Sequence, residues 1–166
     1  MRWTIPIIFF LLFSHYCLIP ECYLVTLLDA ESGRLIYASC LNEGEVIIYK
    51  WKNSLFGLNV TETFLVKGGS FELFELVYED PNGGEEPQVD PEELGYLCHE
   101  GGPFRASNIS KSYSELDFMV GRVGKPRIII NDRLIDLEEE VGFGGRVRMR
   151  VSRYPEASLY SLGLRL

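Results

Sequence analysis

Apolar and polar residues alternate in short runs over most of this chain, the two-residue period of strands that turn one face inward. Residues 23–28 and 34–38 flank Asp29-Ala30-Glu31-Ser32-Gly33, which predicts a hairpin. Residues 46–51 and 60–66 predict a second pair, and Lys67-Gly68-Gly69-Ser70 then turns the chain into a run over 71–78. Later runs fall at 116–120, 127–130, 134–137 and 146–151. Asn131-Asp132 predicts a tight turn, because both residues tolerate left-handed backbone. The interval 79–93 is rich in Pro, Gly and acid and reads as a long surface loop. No helical period of useful length follows residue 20. The expected fold is therefore all-β, an antiparallel sandwich or barrel of about eight strands.

The first twenty residues break this pattern. Arg2 precedes an uncharged apolar stretch that continues to Pro20, the layout of a signal peptide or signal anchor. The flank Ser14-His15-Tyr16-Cys17-Leu18-Ile19-Pro20 lacks the small residues of a processing site, so an uncleaved anchor is the expectation. The run is close to the lower limit of about 17 residues for a span. The division expected is 1–20 hydrophobic helix, 21–151 β domain and 152–166 tail. Arg2 on the cytoplasmic side puts the bulk of the chain outside the cytoplasm, membrane-anchored or secreted. Disulfides are permitted there. Cys40–Cys98 and Cys22–Cys40 are two pairings the sequence allows, and buried free thiols are a third state. Asn59-Val60-Thr61 and Asn108-Ile109-Ser110 fit the glycosylation acceptor pattern.

Length and composition narrow the field. With 166 residues, 46% hydrophobic and 24% charged, the chain suits one globular domain rather than a disordered segment. A net charge of -8 argues against a nucleic-acid backbone or an anionic membrane as the partner of the whole domain, and leaves room for a local basic patch. His15 and His99 are the only histidines. Cys98 and His99 are adjacent, so on a strand they point to opposite faces and cannot act as nucleophile and base. Gly142-Phe143-Gly144-Gly145 lacks the strand-to-helix setting of a phosphate loop and reads as a turn. The acidic residues from Asp80 to Glu93 do not follow a calcium-loop spacing and read as a solvated loop. No catalytic group, metal or cofactor is expected.

Two regions remain as candidates for binding or interaction. On the second hairpin, aligning apolar positions pairs Val46 with Val66 and Ile48 with Phe64, which sets Lys50 opposite Glu62. A carboxylate on an apolar face needs a partner. A rim ion pair and a ligand-contacting carboxylate are the two readings of that position. On the last run, Arg146, Arg148 and Arg150 alternate with Val147, Met149 and Val151 and line one strand face. That face could take an anionic solute, a lipid headgroup or the acidic loop, or it could simply guard an exposed sheet.

The hairpin segment Asn53-Ser54-Leu55-Phe56-Gly57-Leu58-Asn59-Val60-Thr61-Glu62-Thr63-Phe64 resembles domain-of-unknown-function family 1850. Members show a His-Ser-Val triplet and then a Pro-Val-x-Glu-x-Phe run. Ser54, Val60, Glu62 and Phe64 match in place, while Asn53 stands for the His and Asn59 for the Pro. The stretch 127–137, with Gly145 and 147–151, is similar to the family's closing strands. The resemblance implies a small exported or anchored protein that assists a TRAP transporter of the TAXI type, with transporter subunits as partners. Asn53 cannot supply an imidazole, but it can donate and accept hydrogen bonds. An independent small-molecule or lipid-binding β module is the alternative.

Overall fold

The computed structural model describes residues 22–55, 57–83, 97–98 and 104–153, and among these described residues eleven strands and one short helix form. In chain order the strands are β1 (Tyr23–Asp29), β2 (Leu35–Leu41), β3 (Val46–Lys52), β4 (Asn59–Lys67), β5 (Ser70–Glu79) and β6 (Leu97–Cys98). They continue as β7 (Phe104–Tyr113), β8 (Glu115–Met119), β9 (Arg127–Ile130), β10 (Arg133–Asp136) and β11 (Arg146–Arg153). Helix α1 (Leu137–Val141) separates the last two. The expected N-terminal helix, most of the acidic loop and most of the tail lie outside the described residues. Among the described residues, no helix is long and apolar enough to cross a membrane.

Local chemistry makes the turns. Asp29 ends β1 by accepting from the Glu31 and Ser32 amides at 2.9 and 3.3 Å, and Gly33 follows with φ 73°. The Ser32 hydroxyl also donates to Asp29, and these bonds hold its carboxyl below the usual carboxylate range. Asn131 and Asp132 both take positive φ, 49° and 60°, as the tight turn between β9 and β10 requires.

Every strand pair is antiparallel, and the strands form two sheets. The smaller runs β2-β1-β11-β8 and the larger β10-β9-β3-β4-β5-β7-β6. All-β character and antiparallel pairing are as expected; the sheets are open, so the barrel alternative does not hold. Their facing side chains make one core, in which Val25, Leu27, Val147, Met149 and Phe118 meet Ile47, Tyr49, Phe64, Val66, Ile128 and Ile130. Tyr49 and Phe118 seal it with ring centroids 4.3 Å apart. A fully buried side chain of this size contributes roughly 1.5–3 kcal/mol.

Three points depart from the expected pattern, and one open pairing is resolved. The β3–β4 register is one residue away from the predicted one: Val46 faces Leu65, Ile47 faces Phe64, Tyr49 faces Glu62, and Lys50 faces Thr61. Val46, Ile48 and Lys50 do share a face, but it is the outer one. Apolar residues occupy both faces of β3, and the larger Tyr49 and Trp51 go inward with Ile47. Second, β7 has no counterpart among the expected runs. Its Ser-rich sequence carries little strand pattern, and Asn108 and Ser110 sit at φ 58° and 54°; pairing with β5 is what extends it. Third, 134–137 is not all strand. Asp136 accepts from the Glu138 and Glu139 amides, caps α1 and turns Leu137 into the core. Fourth, of the two pairings the sequence allows, Cys22–Cys40 forms, with Cα atoms 5.6 Å apart, and Cys40–Cys98 does not. Cys40 lies on the edge strand of the small sheet, whereas Cys98 lies on the edge strand of the large one.

Candidate functional site

The arginine row forms as predicted, and the structure supplies its counter-charges. In β11, Val147 and Met149 point into the core while Arg146, Arg148 and Arg150 point out. Neighbouring β8 sets Met119, Asp117 and Glu115 directly opposite these three. Arg148 donates through Nε and Nη2 to the two oxygens of Asp117 at 2.7 and 2.8 Å, and its Nε is 3.0 Å from Glu115. Arg150 pairs with Glu115, and Arg146 lies 3.9 Å from Asp117. The Arg148 hydrogen bond holds the Asp117 carboxyl below its ordinary range, and that same bond pushes the guanidinium upward. Each arginine therefore already has a carboxylate partner.

The hairpin residues separate into different roles. Glu62 faces Tyr49 across the ladder, and its Oε1 accepts the Trp51 Nε1–H at 2.8 Å. The predicted Lys50–Glu62 opposition fails because one residue of register places the two on opposite faces of the sheet. Burial, and then the nearby Glu62 charge, push the Tyr49 hydroxyl well above its usual range. Asn53 accepts from the Leu55 amide at 3.0 Å, and its backbone closes the loop by bonds to Leu58 and Gly57. Asn53 and Ser54 line a cleft of 490 Å³ with Leu55, Met119 and Val123.

A larger cleft of 670 Å³ opens on the outer face of the seven-stranded sheet. Period two puts Lys50 and Lys52 of β3 on that face, beside Asn59 and Thr61 of β4 and Arg127 of β9. The connection from β8 to β9 forms the other wall with Arg122, Val123, Gly124 and Lys125. It is tied down at two points near β9, by the Lys52 amide donating to the Gly124 carbonyl at 2.7 Å and the Leu137 amide donating to the Pro126 carbonyl at 3.0 Å. Glu79 is the carboxylate in the lining. Arg127 has Asp136 at 3.5 Å, and Arg122 stacks over the Phe143 ring at 5.2 Å. Lys50, Lys52 and Lys125 make no ion pair among the described residues. The chain is acidic as a whole, yet this cleft concentrates cations. Trp51, Lys52, Arg122, Val123 and Gly124 belong to both clefts, so the Glu62–Trp51 bond braces the wall between them.

Of the predicted residues, Lys50 lies in the cationic cleft, Asn53 and Ser54 in the smaller one, Glu62 behind Trp51, and the three arginines on the other sheet. Sequence reasoning missed Lys52, Arg122, Lys125 and Arg127. A usable signal was present: three cations within 122–127 of a net acidic chain, and two on one face of β3. Among the described residues, no three His, Cys, Asp or Glu side chains converge as a metal site. Set against protein-family models, curated proteins and solved structures, the chain matches none.

Proposed function

We propose that this protein is a non-enzymatic β module that binds a small anion in the cleft between β3, β9 and the 121–126 connection. The observation that carries it is the group of Lys50, Lys52 and Lys125 lining one cleft with no ion-pair partner among the described residues, against Glu79 as the opposing charge in the lining. Cations held on a rigid sheet and a tethered connection are pre-organised, so an incoming anion orders little on binding. Asn59 and Thr61 add hydrogen-bonding groups, which suit phosphate or carboxylate oxygens. The volume lies in the range of small-molecule sites, roughly 300–1,000 Å³. The test is calorimetric titration with inorganic phosphate at low salt. Lys52→Glu with Lys125→Gln is expected to weaken binding about tenfold or more, since a hydrogen bond to a charged group contributes about 1.5–3 kcal/mol. Equal affinity in wild type and variant would remove the cleft as the site.

A second reading is the accessory role beside a solute transporter that the resemblance implies. In its favour, Asn53 and Ser54 of the resembling segment wall the smaller cleft and Glu62 holds the shared Trp51. Crosslinking in native membranes followed by mass spectrometry tests it. Recovery of transporter subunits, lost in an Asn53→Ala/Ser54→Ala variant, is the supporting result. Capture of none counts against it.

A further inference from the structure

The cationic cleft does not end at its charges. Register places Ile48, Ile129 and Leu134 side by side on the outer face of the seven-stranded sheet. They lie one step, about 7 Å, along the strands from the rung that holds Lys50 and Arg127. Ile129, Leu134 and Val123 are part of the cleft wall itself. Leu134 is 54% exposed, and Val46, the next outward residue of β3 beyond Ile48, is 43% exposed. An aliphatic strip thus leads away from a cationic end along one open face.

We infer that the ligand is a single-chain amphiphilic anion: an acid group of phosphate or carboxylate chemistry carrying an alkyl tail. The head lies against Lys50, Lys52 and Lys125, and the tail runs over Ile129 and Leu134 toward Ile48. The inference rests on the anion-binding reading above and adds the tail. A bare inorganic anion satisfies the lysines but leaves the strip in water, and a polyanion would lay further charge across aliphatic side chains. A head with a tail complements both surfaces at once, with charge at one end and apolar area at the other.

The experiment is a calorimetric series on the full chain with inorganic phosphate, then butyl, hexyl and octyl phosphate, each kept below its micelle concentration. Affinity is expected to rise roughly two- to fourfold per added methylene. An Ile48→Thr variant, at a position outside the lining of the cationic cleft, checked for an unchanged melting temperature, should keep phosphate affinity and flatten that rise. The same series with alkyl carboxylates distinguishes the two head groups. Phosphate binding without chain-length dependence would overturn the amphiphile and leave the anion site standing. Loss of phosphate binding altogether would remove both. A rise that persists in the variant would place the tail elsewhere on the chain and also overturn the proposal. So would binding to phosphatidylglycerol vesicles with no uptake of monomeric alkyl phosphate, which would put a bilayer in the ligand's place.

Discussion

The molecule carries two groups of cations, one on each sheet, and they differ in what stands beside them. Arg146, Arg148 and Arg150 face Met119, Asp117 and Glu115 across the β8–β11 ladder, so the protein itself neutralises them. Lys50 faces Thr61 and Arg127, and Lys52 faces Asn59. Both groups arise from the same strand alternation and look alike as a row of charges. Cross-strand register decides which becomes part of the scaffold and which is left for a ligand.

If that account is right, moving a carboxylate should move the function. The largest effect is expected from Thr61→Glu, which places an acid opposite Lys50 in the cleft. Phosphate affinity should fall about tenfold or more by calorimetry, because the new side chain occupies the lysines internally. An unchanged affinity would mean that pairing is not what separates the two groups. The reciprocal change, Glu115→Gln with Asp117→Asn, strips the arginine row of its counter-charges. A second, weaker phosphate site should appear in the titration, together with a lower melting temperature. Were the freed row to stay silent, its geometry rather than its neutralisation would be the cause.

The smallest effect is on acid stability. The folded Asp117 carboxyl lies below its unfolded value near 4. Its contribution is therefore present above that unfolded value and is lost as pH falls through the lower, folded one. The wild-type melting temperature should drop across the range from about pH 4 downward. The drop should be shallower in Asp117→Asn and unaltered in Lys52→Gln, since no carboxylate partners that lysine among the described residues. Equal slopes in all three would show that the row adds nothing to acid resistance.

The pattern of the chain carried the hairpins, the Asn131-Asp132 turn and the outward arginines, because each follows from residues close in sequence. It did not carry the β3–β4 register, since Val46 and Ile48 compete with Ile47, Tyr49 and Trp51 for the inner face and tertiary packing, including that of Tyr49 on Phe118, resolves them. It did not carry β7, which is a strand because β5 pairs with it. The cleft was invisible for a related reason. Lys50 and Lys52 lie far in sequence from Arg122 and Lys125, and a backbone bond from Lys52 to Gly124 is what brings the two walls together. Glu62 was singled out correctly as needing a partner, and the Trp51 indole, not Lys50, supplies one.

The place of β1 bears on how the molecule comes to exist at all. In the large sheet, β3, β4 and β5 are consecutive neighbours and can zip as the chain emerges. In the small sheet, β1 lies between β2 and the final strand β11, and its pairing joins Tyr23 to Arg153. Closing so long a loop is slow, because its entropy is lost before any contact rewards it. Until residue 153 is made, one edge of β1 is unpaired and Val25 and Leu27 lack their Val151 and Met149 neighbours. Synthesis of the earliest strand therefore starts a wait that only the latest one ends, and a chain stopped before Arg146 would hold a half-built sheet with its core open.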